Sequence, residues 1–119
     1  MITKLKSNQI FVFGSNLAGL HLGGAAKQAY ESFGAIWGQG EGLQGQSYAF
    51  PTLDEDFGKR DYKELIESRN KLYKSARENP QKEFLLTAVG CGISGYPVGV
   101  MKKLFENTPE NITKPDEFK

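Results

Sequence analysis

Apolar residues in this chain cluster in short dense runs, and glycine or proline punctuates almost every one of them. "QIFVF", Gln9–Phe13, mixes β-branched and aromatic residues between a polar segment and Gly14, which predicts a buried strand. From Gly24, "GAAKQAYESF" sets Ala25, Ala26, Ala29, Tyr30 and Phe33 at helical spacing, and Gly34 supplies the stop. The small Ala25 and Ala26 would let that helix lie close to a sheet. "GAIWGQGEGLQGQ", Gly34–Gln46, reads as a long connection, and its latter part, with Ser47 and Tyr48, as a flap over a ligand. "SYAFPT", Ser47–Thr52, predicts a second strand ended by Pro51.

Asp61 with Glu64 has the spacing of a capping box. The helix it opens would bury Tyr62, Leu65, Ile66, Leu72, Tyr73 and Ala76 on one stripe, interrupted by Arg69 and ended by Pro80. "EFLLTAV", Glu83–Val89, is nearly all apolar and predicts a central strand. A glycine turn, "GCGISGYP", precedes a short helix over Val98–Phe105, and "NITKPDEF" adds a final edge strand limited by Pro115. Strands alternating with helices imply one α/β domain over residues 1–119, three-layered around a largely parallel sheet. Ligands of such folds bind beyond the carboxyl ends of the strands, where both glycine turns would meet.

Composition narrows the function classes. With 15 basic and 14 acidic residues the formal net charge is +1, so bulk electrostatics offers nothing to nucleic acid or an anionic membrane. A small anion remains open, because it needs only local donors. One cysteine, Cys91, and one histidine leave no set of ligands for a metal, and no cofactor is implied. No apolar run reaches the ~20 residues of a membrane span, and "MITKLKSNQ" lacks an apolar signal core, so the expected compartment is the cytoplasm.

Two phosphate motifs fail on inspection. Gly14 and Gly19 have the GxxxxG spacing, but Leu20 and His21 stand where a lysine and a hydroxyl are needed. "GEGLQG", Gly40–Gly45, matches GxGxxG yet precedes a strand instead of opening a helix. What remains is two turns, each leading into a helix N-terminus where free N–H groups and the helix dipole favour an anion. Together they could hold both phosphates of a diphosphate. The plainer reading is that the glycines merely allow tight turns and close packing.

"VFGSNLAGLHLGGAAKQA" resembles the macrodomain signature, a strand ending in Val-Asn-Ala-Ala-Asn, a loop, and two or three glycines opening a helix. "SYAFPT" and "FLLTAVGCGISGYPVGVMKKLF" are similar to that family's later strand and its Thr-Gly-Ile-Phe-Gly-Tyr-Pro type loop. The resemblance spans Ile10–Phe105 and implies a macrodomain-like α/β/α fold that binds ADP-ribose or a related nucleotide diphosphate, with hydrolysis of ADP-ribosyl linkages in some members. It implies that Asn16 contacts the distal ribose and that Gly23 and Gly24 let the backbone approach sugar and diphosphate. By the same resemblance Gly92, Ile93, Ser94, Gly95 and Tyr96 form the second phosphate loop, with Tyr96 beside the sugar; Gly14, Ser15, Ala25 and Gly90 complete the ligand-binding set. The family's extra first strand and adenine-reading aspartate have no counterpart in Met1–Gln9, so the chain looks like a shortened, divergent member, with no base reader assigned.

The candidates for chemistry each carry a plainer alternative. Asn16 could cap its own turn. His21, on a glycine-rich loop, is either solvated or a ligand-contacting or acid–base group. Cys91 sits where a helix dipole would lower its pKa, and with His21 on the neighbouring turn it could be a nucleophile; otherwise it is a small buried thiol. Asp54, in the run Asp54–Asp56, could orient a water, although such a run is commonly a solvated face. Trp37 and Tyr48 could stack on a base or belong to the core. The competing functions are therefore a Cys91-dependent thiol hydrolase and a non-catalytic protein-interaction module. The oligomeric state is not legible from the sequence.

Overall fold

The computed structural model describes residues 2–119. Its elements are β1 (Gln9–Asn16), α1 (Gly24–Ser32), β2 (Gly42–Gln44), β3 (Ser47–Leu53), α2 (Tyr62–Glu78), β4 (Glu83–Leu86), α3 (Val98–Leu104) and β5 (Ile112–Thr113). A 3₁₀ turn over Asp116–Phe118 follows. The strands form one sheet in the order β2-β3-β1-β4-β5. All neighbours run parallel except β2, which pairs antiparallel with β3.

The alternation along β1 explains the architecture. Ile10 and Val12 point to one face, with Tyr48, Phe50, Phe84 and Leu86, and pack against Leu65 and Leu72 of α2 and Met101 and Leu104 of α3. Phe11 and Phe13 point to the other face, where they join Ala49, Ala29 of α1, Phe33 and Ala35. β1 is thus buried on both faces and paired on both edges. The buried stretch of such a strand has to be apolar at every position, as Ile10–Phe13 is. Alanine at positions 29 and 49 lets α1 approach the sheet closely enough to cover the phenylalanines.

Several expectations are corrected. The central strand is β1; β4 lies between β1 and β5 and ends at Leu86, short of Val89. There Thr87 turns away, its N–H and hydroxyl both donating to the Val12 carbonyl, at 3.2 and 2.8 Å. The connection Gly34–Gln46 contains β2, and Pro51 lies within β3 instead of ending it. β2 pairs only with Ser47–Ala49, so Pro51 sits beyond it, on an edge where no strand needs its missing N–H. Arg60 fills that edge, its Nη1 donating to the Pro51 carbonyl and to Ser68 Oγ, both at 2.8 Å. Ser68 accordingly joins the buried stripe of α2, whereas Tyr62 is exposed and Ile66 half-buried.

The Asp61–Glu64 capping box forms as expected, with Glu64 N–H 2.8 Å from Asp61 Oδ1 and the reciprocal bond at 3.1 Å. At the far end of α2, Asn111 Nδ2 donates to the carbonyls of Ala76, Asn79 and Lys82 at 2.8–3.1 Å. One side chain therefore ties the helix end to the start of β4 and to β5. Asn111→Asp should destabilise the fold more than Asn111→Ala, because a carboxylate would face three carbonyl oxygens with no proton to donate. We expect a loss of about 2–3 kcal/mol for Asn111→Asp, read from urea unfolding midpoints.

Candidate functional site

The carboxyl ends of β1 and β3 and the turn beyond β4 enclose a cavity of about 460 Å³. That volume lies within the range of small-molecule sites, about 300–1,000 Å³. The β1 end contributes Gly14, Ser15 and Asn16, the turn into α1 contributes Gly23, Gly24, Ala25 and Ala26, and the β3 end contributes Thr52 and Leu53. Thr87–Gly90 and Gly92–Ser94 close the other side. The two glycine-rich turns thus share one cavity. Of the residues expected around a ligand, Gly14, Ser15, Asn16, Gly23, Gly24, Ala25, Gly90, Gly92, Ile93 and Ser94 all line it.

Gly95 and Tyr96 do not. Gly95 has φ +73°, so its glycine is required by the turn itself. The Tyr96 hydroxyl lies 2.7 Å from the Arg60 carbonyl oxygen and 2.9 Å from that of Thr52, holding its one proton between them. Burial pushes its pKa up, which keeps it a donor. Lys59 Nζ stands over the ring at 5.3 Å and donates to the Gly95 carbonyl at 3.2 Å. These two residues clamp the second loop from outside.

The glycines divide into two kinds. A Cβ on Gly19 would come within 2.3 Å of Gly38 backbone, and one on Gly40 within 2.3 Å of the Asn16 carbonyl oxygen. These serve close packing of the Gly34–Gln46 connection against the turn after β1. That connection is anchored, with Ser15 Oγ donating to the Gly40 carbonyl and the Gln44 side chain bonded to Ile36, Gln39 and Gly42. None of it lines the cavity, so it is not a flap. Gly23 and Gly92 differ: a Cβ on either would meet nothing within 4 Å, and neither has a positive φ. Gly24 also faces open space, at φ +58°.

Backbone donors are plentiful there. Gly23 caps α1 with no side-chain bond, and the first turn carries no acidic residue, so the initial N–H groups of the helix are unspent. In the second loop the N–H groups of Gly92, Ile93 and Ser94 make no hydrogen bond among the described residues. Thr52 Oγ1 and Ser94 Oγ lie 2.8 Å apart, tying that loop to β3.

The candidates for chemistry scatter. Asn16 caps its own turn, Nδ2 donating to the Leu20 carbonyl at 3.0 Å and Oδ1 accepting from Leu20 N–H at 3.1 Å. It still borders the cavity with one amide proton and one lone-pair site to spare. His21 is only 2% exposed, so it is not a solvated loop residue. It packs against Phe13, Tyr30 and Trp37, and Nε2 donates to the Ile36 carbonyl at 2.8 Å. Cys91 packs with the core on the opposite face of the sheet from Phe13, so no Cys–His pair forms. Burial raises the thiol's pKa instead of the helix dipole lowering it, with Glu117 adding to the effect. Asp54 spends Oδ1 on the N–H groups of Asp56 and Gly58, at 2.9 and 2.8 Å, and so builds a turn. Tyr48 is buried in the core, and Trp37 packs on His21 and Tyr30; neither reaches the cavity.

Phe57 escaped the sequence reading and does line the cavity, as do Leu20 and Leu22. Its stretch, "DEDFGK", looks like a polar turn.

Two outcomes follow. Gly40→Ala should cost about 2–3 kcal/mol, because backbone cannot yield to the new methyl as a side-chain tip would; chemical denaturation measures it. Iodoacetamide should alkylate Cys91 at pH 7.5 more slowly than a free cysteine peptide, since a raised pKa lowers the thiolate fraction. The rate should climb through a higher pH than the peptide's. No protein-family model, curated protein or solved structure matches this chain.

Proposed function

We propose that the chain is a macrodomain-like α/β/α domain that binds ADP-ribose or a related nucleotide diphosphate between its two glycine-rich loops. One observation carries this reading. Gly23 and Gly92 border the same cavity from opposite loops, and neither packing nor backbone conformation inside the protein requires a glycine at either. A ligand whose phosphates lie against the backbone supplies the missing reason. Gly99 of α3 also faces open space but lies outside the cavity, so it is the convergence of two such glycines that counts.

The donors fit that ligand. Unspent N–H groups from the start of α1 and from Gly92–Ser94 suit an anion that is bound without basic side chains. No Asp, Glu, His, Cys, Lys or Arg is among the lining residues. Binding is therefore favoured over hydrolysis, for which the walls supply no general acid or base. The Cys91 hydrolase reading has no support from the geometry, the thiol lying outside the cavity with a raised pKa.

The test is calorimetric titration with ADP-ribose, alongside thermal melting. At a hundred times its dissociation constant the ligand should stabilise the fold by ~2.7 kcal/mol. Gly23→Glu should melt like the native chain when free, since its φ of −157° suits any residue and its Cβ meets open space. It should lose the ligand-induced shift, because a carboxylate would occupy the phosphate path. No heat and no shift with the native chain would refute the proposal.

A further inference from the structure

The turn after β3 holds a side chain that its own backbone disfavours. Asp54 N–H donates to the Gly58 carbonyl at 2.8 Å and Phe57 N–H to the Asp54 carbonyl at 3.2 Å, closing a tight hairpin whose arms meet at Leu53 and Lys59. Phe57 occupies its left-handed position, at φ +63°. Glycine or asparagine is suited to that position, and a bulky aromatic there is strained. Asn107, the only other non-glycine with positive φ among the described residues, is of the tolerant type.

Core packing provides no return for this strain. Phe57 belongs to neither apolar cluster, and no aromatic ring of the described residues packs on it. The side chain stays 47% exposed and lines the cavity. Leu22 and Ile93, the latter 98% exposed, line it as well. The cavity thus combines backbone donors at its glycine loops with an apolar rim at the end of β3. The hairpin is held in place: Lys59, on its returning arm, donates to the Gly95 carbonyl, and Arg60 is buried beneath β3. Strain kept at a cavity wall by a rigid support marks a residue retained for what it binds.

We infer that Phe57 is the base-binding residue of the cavity, its ring stacking on the heterocyclic base of a nucleotide whose phosphates lie against the glycine loops. The inference rests on the diphosphate-binding reading and adds the base-recognising group that the sequence left unassigned. A flat π-face suits it, since stacking rewards an aromatic ring and tolerates different bases.

The experiment compares the native chain with Phe57→Gly and Phe57→Tyr, using ADP-ribose and inorganic pyrophosphate as probes in calorimetry. Phe57→Gly relieves the backbone, so without ligand it should melt a few degrees higher than the native chain. It should bind ADP-ribose about tenfold more weakly or worse and pyrophosphate with unchanged affinity. Phe57→Tyr should keep the native affinity for both. Phe57→Asn, which tolerates the same backbone, repeats the comparison if the glycine variant proves too loose to fold. Unchanged ADP-ribose affinity in Phe57→Gly would overturn the inference, as would an equal loss for both probes. A native chain that binds pyrophosphate but gains nothing from the nucleoside would overturn it while leaving the glycine-loop reading intact. Binding of neither probe would overturn both.

Discussion

Burial of β1 on all sides is the constraint from which the rest of this structure follows. A strand with parallel neighbours on both edges and apolar clusters on both faces can leave the sheet only at its ends. At its carboxyl end the flanking strands stop at different points, β4 finishing at Leu86 while β3 stays paired with β1 to Leu53. A cleft opens between them because no backbone remains to fill it. The loops around that cleft have to turn sharply, and Gly24, Gly90 and Gly95, at positive φ, answer that demand, whereas Gly23 and Gly92 do not.

The elements were readable where the physics is local. The dense apolar run "QIFVF" announces a buried strand, and Asp61 with Glu64 announces α2 through a hydrogen-bond exchange only three residues apart. Misreadings arose where the deciding partner is distant. Pro51 looks like a strand terminator until the three-residue β2 is seen to stop short of it. "EFLLTAV" looks continuous, but Thr87 prefers the Val12 carbonyl, contributed by another strand.

The loops that border the cavity were legible in outline for a related reason. Glycines announce turns by themselves, so the two loops could be found in sequence and brought together by topology alone. His21 could not be placed that way, because the rings around it come from β1, α1 and the connection beyond. Phe57 was hidden by its neighbours, since charge on both sides of it imitates a solvated turn. What distinguishes it is a backbone angle, and no residue pattern displays that.

The two ends of the sheet have a consequence for the molecule in solution. β2 is three residues long and begins with glycine, and β5 is two residues long with Lys114 and Pro115 directly after it. An incoming strand would find at most a couple of unpaired amides on either side before the ladder ran out. The sheet is therefore a poor template for its own copies, and fibrillar growth by edge addition has nowhere to start.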